Sequence, residues 1–156
     1  MADLRSLLED LGAEDVATYV QSGNVVFKSG RSAADLAKTI EQELERRLGL
    51  DITVLLRTKG QLAKLVAANP FGVKEPTKLY VTFLAETPPR ARVASLDPDV
   101  GGSDEFRVSG REVYLRFPNG YGRSKLSNAY FEKQLGVRAT TRNWKTVTTL
   151  ADLASR

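Results

Sequence analysis

The chain has 156 residues, a formal charge of +4, and neither cysteine nor histidine. That length buries a hydrophobic core without covalent staples. The two missing residue types exclude disulfides, thiolate metal sites, cysteine nucleophiles, imidazole bases and histidine-ligated zinc.

The elements follow in chain order. Leu4, Leu7, Leu8 and Leu11 recur at helical spacing, and Gly12 stands where a helix ends in a left-handed residue. Over 15–27, β-branched and aromatic residues flank Ser22, Gly23 and Asn24, which predicts a hairpin. Ser32 with Asp35 opens a helix carrying Leu36, Ile40, Leu44 and Leu48, and Gly49 closes it. A strand is expected over 52–56. Thr58 caps a short helix through Leu62, Leu65 and Val66 that stops before Asn69 and Pro70, because the residue before proline avoids the α region. A strand follows over Leu79–Leu84, and Pro88 and Pro89 start a helix through Val93 and Leu96. Phe106 and Val108 face Val113 and Leu115 across Ser109 and Gly110 in a second hairpin. After the turn of Pro118, Asn119, Gly120, Tyr121 and Gly122, a helix is expected over 124–135, ended by Gly136, and a last helix over 143–153.

Residues 2–57 thus give αββαβ and residues 79–135 give βαββα, each one strand short of the βαββαβ ferredoxin-like unit. The expected fold is α+β, with two ferredoxin-like subdomains packed as one compact unit. The truncated first subdomain spans 1–57 and the second, with an extra C-terminal helix, spans 58–156. In the first, the missing element is the opening strand, which in the usual order lies inside the sheet.

Four segments together resemble the bacterial domain-of-unknown-function family 1697. They are Thr18-Tyr19-Val20-Gln21-Ser22-Gly23-Asn24-Val25-Val26-Phe27, Asn69-Pro70-Phe71, Tyr121-Gly122-Arg123-Ser124-Lys125-Leu126, and Ala139-Thr140-Thr141-Arg142-Asn143-Trp144. The resemblance spans nearly the whole chain and implies a cytoplasmic bacterial protein of paired ferredoxin-like subdomains, with no particular reaction. Members of that family begin earlier, with an apolar strand and an Arg-Gly loop. Their lack here points to a start placed too late or a shortened copy, and predicts a weakened fold, since each buried backbone group left unpaired costs about 1–3 kcal/mol.

Charge singles out one region. Between positions 111 and 145, eight basic side chains stand against two acidic ones, Glu112 and Glu132. Such an excess attracts phosphate, or else is simply a solvated face. Within it, Gly120, Tyr121, Gly122, Arg123, Ser124 and Lys125 precede an expected helix, where backbone amides and the dipole favour an anion. The spacing is that of neither a Walker loop nor a Rossmann fingerprint. The structural alternative is a glycine turn with Ser124 as helix cap. Arg142, Asn143 and Trp144 combine a guanidinium, an amide and the one tryptophan, suited to a base or nucleotide ring. Alternatively, Trp144 anchors the last helix in the core and Asn143 caps it. Gln21, Ser22, Gly23 and Asn24 offer polar groups on a hairpin to hydrogen-bond a ligand, against the alternative of turn chemistry alone, since Gly and Asn tolerate φ > 0 there. Asp104 and Glu105 are a candidate carboxylate pair for acid/base work or Mg²⁺, but strand alternation points them to opposite faces, and the alternative is a solvated strand start.

Three functions fit these residues. The first is binding of a phosphate-bearing partner, RNA or a nucleotide, through the basic C-terminal segment. The second is an enzyme holding an anionic substrate between the subdomains, and the third is a scaffold for an acidic protein. None calls for a metal or cofactor. No stretch approaches the roughly 20 apolar residues that span a bilayer, so no membrane partner is expected, and the oligomeric state is left open.

Overall fold

The computed structural model describes residues 2–19, 23–122 and 124–155. The described residues form a mixed α/β protein with two antiparallel sheets and six α-helices. The chain divides into two units, Met1–Ala63 with Thr149–Arg156, and Lys64–Thr148.

In the first unit, α1 (Ala2–Asp10) ends where Gly12, at φ 90°, lets Ala13 N–H reach back to the Leu8 carbonyl. Strands β1 (Glu14–Tyr19) and β2 (Asn24–Lys28) pair antiparallel, with a bulge after Glu14 that places Asp15 at φ 52°. Their connection, including Gln21 and Ser22, lies outside the described residues. Helix α2 (Ala33–Leu48) is capped by the Ser32 hydroxyl, which accepts Asp35 N–H, and ends at Gly49 with φ 67°. Leu7, Leu8, Val16, Leu36, Ile40 and Leu44 make the buried core of this unit. Arg47 of α2 bridges Glu43 and Asp10 at 2.9 and 2.6 Å, tying α2 to α1.

The strand expected over 52–56 does not form. A strand exists only through its ladder, and in this sheet β2 pairs with β1 alone. The segment runs without regular structure, with Val54 and Leu56 packed on the core of α1 and α2 and Val54 N–H donated to the Glu41 carboxylate at 3.1 Å.

Helix α3 (Lys59–Ala67) opens on a reciprocal cap: Gln61 N–H donates to the Thr58 hydroxyl at 3.1 Å, and Thr58 N–H to the Gln61 side-chain oxygen at 2.9 Å. The second unit then runs β3 (Leu79–Leu84), α4 (Arg90–Ala94), β4 (Glu105–Ser109), β5 (Glu112–Arg116), α5 (Asn128–Leu135) and β6 (Ala139–Asn143), before α6 (Trp144–Ala154). The sheet order is β4-β5-β3-β6, antiparallel throughout.

This unit is therefore not a strand short, since β6 completes it. Its sequence, Ala-Thr-Thr-Arg-Asn, lacks the apolar alternation that marks a strand, because it is an edge strand with no fully buried residue. Register sorts the sheet into two faces. Tyr80, Thr82, Leu84, Val113, Leu115, Phe106, Ala139, Thr141 and Asn143 share one, over which Leu96, Leu126, Phe131 and Leu135 close the core. Leu79, Val81, Phe83, Tyr114, Thr140 and Arg142 share the other. There the Tyr114 hydroxyl donates to the Leu65 carbonyl of α3 at 2.7 Å.

Candidate functional site

The glycine-rich loop leaves β5 at the end of the sheet where β3 begins and β6 ends. Three of its apolar side chains pin it: Phe117 and Leu126 are fully buried, and Tyr121 packs against the same core. Tyr121 stacks on Tyr80 at 4.9 Å, and both meet Phe117 edge-on at 5.2 and 5.3 Å. Ser124 N–H donates to the Tyr121 carbonyl, and the Ser124 hydroxyl accepts Leu126 N–H at 3.1 Å. The pinned loop leaves Gly120, Gly122 and Lys125 exposed. Arg123 lies outside the described residues.

The helix behind the loop starts later than its sequence suggests. Its cap is Ser127, whose hydroxyl accepts Tyr130 N–H at 3.2 Å, and not Ser124. The reason is Leu126: burying it turns the chain at Ser124 before helical geometry can begin, so the glycines do not feed directly into the first turn of α5.

Asn143 and Trp144 take their structural roles. The Asn143 side chain accepts Thr146 N–H at 2.8 Å, capping α6, while its amide side chain stays exposed. Trp144 is 4% exposed and belongs to the core, so its ring presents no stacking surface to a ligand. Lys145, next along, is exposed.

Arg142 is separated from the loop by the sheet itself. It is the register partner of Val81, on the face opposite Tyr80 and Tyr121, whereas Asn143 is the partner of Tyr80. Half-buried, the Arg142 guanidinium donates to the Thr140 hydroxyl at 2.7 Å and the Thr141 carbonyl at 3.0 Å, and burial holds its pKa below the ordinary value. The guanidinium remains charged even so.

These contacts belong to a seal along β6. The Arg138 carbonyl accepts Ala85 N–H at 2.8 Å, so by antiparallel alternation Ala139 and Thr141 turn their amides away from β3. Glu132 accepts Ala139 N–H at 3.0 Å, Asn128 donates to the Ala139 carbonyl at 3.0 Å, and Arg142 covers the Thr141 carbonyl. Asn128 also accepts the Thr141 hydroxyl, which pairs at 2.8 Å with the fully buried Thr82 hydroxyl. Side chains thus occupy hydrogen-bonding positions that an edge strand otherwise offers to another chain.

Among the expected site residues, then, Tyr121 stacks on Tyr80, the register partner of Asn143, with Gly122, Ser124 and Lys125 following it in the same loop, while Arg142 lies on the other face of the sheet and Trp144 is buried. Sequence reasoning overlooked Tyr80, the platform for Tyr121, and the clamps Asn128 and Glu132. Tyr80 sits in an apolar strand where alternation offers no sign of a ring partner 41 positions away. Asp104 and Glu105 form no acid pair, as Glu105 is engaged by Arg116 at 3.2 Å, and no cluster of metal-ligating side chains occurs among the described residues.

A family model described as "Protein of unknown function (DUF1697)" matches residues 1–114. The structure of the conserved bacterial protein SP0830 from Streptococcus pneumoniae superposes with a TM-score of 0.73 at 22% identity, covering 100% of this chain and 89% of that one. No curated protein matches the chain. Among the described residues, no helix is long and apolar enough to cross a membrane.

Proposed function

The chain belongs to the DUF1697 family, and we propose that this member binds a phosphate-bearing ligand, single-stranded RNA ahead of a free nucleotide, at the end of the second unit's sheet. The observation that supports the proposal is the Tyr80–Tyr121 stack, which holds the loop carrying the exposed Gly120, Gly122 and Lys125 against the β3 residue whose register partner is Asn143, the residue before α6 and its exposed Lys145. Two lysines then offer charge to a phosphate, and pinned glycines let it approach the backbone closely.

We read the second unit as ferredoxin-like, supported by its βαββαβ order and β4-β5-β3-β6 arrangement. Ferredoxin-like sheets that bind RNA stack bases on exposed aromatics of the open face. In this chain the corresponding residues, Val81, Phe83 and Tyr114, are at most 6% exposed. Binding is therefore assigned to the strand ends. An extended polymer is preferred to a free nucleotide because Gly120, Gly122, Lys125, Asn143 and Lys145 are all exposed, whereas a cavity of about 370 Å³ lies between Phe71, Gly72, Lys74, Glu75, Leu79 and Arg116.

The test is a titration of 15N-labelled protein with a short single-stranded RNA, followed by amide shifts. Perturbation confined to Gly120, Gly122, Lys125, Asn143 and Lys145 is expected. Shifts around Phe71 and Arg116 with a nucleotide, and none with RNA, would instead favour a small anionic substrate and an enzyme.

A further inference from the structure

The cavity of about 370 Å³ belongs to the face of the second unit's sheet opposite Tyr80 and Tyr121: Leu79 and Arg116, which both line it, are register partners, whereas Tyr80 pairs with Leu115. Its volume is at the lower end of the roughly 300–1,000 Å³ of ligand sites. One wall is set by local chemistry. The Asn69 side chain accepts Phe71 N–H at 3.0 Å and donates to the Gly72 carbonyl at 3.3 Å, and the Arg107 guanidinium lies 5.7 Å from the centre of the Phe71 ring. Phe71 is thus positioned by the protein's own contacts, and with Leu79, 3% exposed, it gives the cavity an apolar side. Beside it, Arg116 donates through separate nitrogens to two carboxylates, Nη1 to Glu105 and Nη2 to Glu75, each at 3.2 Å. The other oxygen of Glu75 has a shorter contact, to Lys78 at 2.7 Å. The Lys78 and Arg116 bonds hold the Glu75 carboxyl below its ordinary pKa, so it is ionised at neutral pH. Glu75 is exposed, on the segment leading into β3. Its carboxylate can therefore leave Arg116 and stay paired with Lys78.

We propose that this cavity binds a small aromatic monocarboxylate, whose carboxylate takes the place of Glu75 on Arg116 while its ring lies against Phe71 and Leu79. The guanidinium fork matches the planar carboxylate, and Glu75 is the protein's own stand-in for it. The aromatic wall favours a flat ring, through an offset or edge-on pair with Phe71. A doubly charged phosphate is disfavoured, because it would meet the Glu75 and Glu105 carboxylates around the same guanidinium. The site is separate from the glycine-rich loop to which RNA binding is assigned, so either assignment can fail alone.

The probe is sodium benzoate, titrated into the 15N-labelled full chain at constant ionic strength, with benzamide and inorganic phosphate as controls. Saturable amide shifts are expected at Phe71, Gly72, Lys74, Leu79 and Arg116, with a Kd on the order of 1 mM, while Gly120 and Lys125 stay still. Benzamide, which has the ring without the charge, should bind more weakly, and so should phosphate. Glu75→Gln removes the competing charge and should tighten benzoate binding by about two- to fivefold, whereas Arg116→Lys, which keeps the charge and loses the fork, should weaken it. Lack of saturable shifts in the unaltered chain up to about 20 mM benzoate would overturn the proposal. Equal binding of benzamide would overturn it as well, by marking apolar adhesion, and stronger binding of phosphate would do so by marking a general anion site. Benzoate affinity that is unchanged or reduced in Glu75→Gln would show that Glu75 does not hold the ligand's place.

Discussion

Replacing Tyr121 separates ring stacking from simple burial in the pinning of the glycine-rich loop. The ring stacks on Tyr80 at 4.9 Å and meets Phe117 at 5.2 Å, and no described residue bonds its hydroxyl. Tyr121→Phe keeps both contacts and should change stability by less than about 0.5 kcal/mol. Tyr121→Leu keeps apolar cover but loses two ring pairs, each contributing about 0.5–1.5 kcal/mol, so a loss of roughly 1–2 kcal/mol is expected. Tyr121→Ala removes the cover as well. Fully buried aromatic truncations cost about 3–5 kcal/mol, and for this half-buried ring roughly 2–3 kcal/mol is expected. Urea unfolding followed by Trp144 fluorescence, and in parallel by far-UV circular dichroism, measures the series, since Trp144 is buried and its emission will change when unfolding exposes it to water. Equal stability of the Leu and Phe variants would refute a contribution from stacking. A loss below about 0.5 kcal/mol for the Ala variant would refute the pinned loop itself.

Three further outcomes follow from the same packing. Glu132→Ala unclamps the Ala139 amide, and Asn128→Ala the Ala139 carbonyl, each at a cost of about 1–2 kcal/mol; in the first variant the Ala139 amide should exchange faster, and unchanged exchange would count against the seal. Gly101→Ala places a Cβ 2.9 Å from a methyl of the fully buried Leu126 and 3.1 Å from the Asp104 carbonyl, and overpacking should lower stability by about 1–3 kcal/mol in urea unfolding. Burial pushes the Tyr114 phenol above its ordinary value of 10.0. The fold therefore favours the neutral form, so this contribution is intact below about pH 10 and lost as pH rises through the higher folded value. Tyr114→Phe should flatten the alkaline loss of stability, and an unchanged alkaline limb would show that another group is responsible.

Much of this fold was legible in the sequence where local chemistry decides it. Ser32, Thr58, Gly12, Gly49 and Gly136 end or begin helices where their capping chemistry says they should. What stayed hidden depends on partners distant in sequence. Residues 52–56 have the composition of a strand, but composition cannot supply a neighbour. Residues 139–143 have a polar composition and become a strand because β3 pairs with them on one side and α5 clamps the other. The site divided for the same reason. Only once β6 is known does alternation place Arg142 and Asn143 on opposite faces, and only the closed core shows that Trp144 is enclosed and that Leu126 delays α5.

The central claim is that lysines held at the strand ends of the second unit bind phosphate, and the salt dependence of RNA binding tests it most directly. Anisotropy of a fluorescein-labelled single-stranded RNA should give a log–log salt slope for the unaltered chain, and the slope should fall by about 0.7 for each neutralised phosphate contact. Lys125→Ala with Lys145→Ala is accordingly predicted to flatten the slope by roughly 1.4 and weaken binding at low salt. An unchanged slope and affinity in that double variant, with the fold intact by circular dichroism, would contradict the claim.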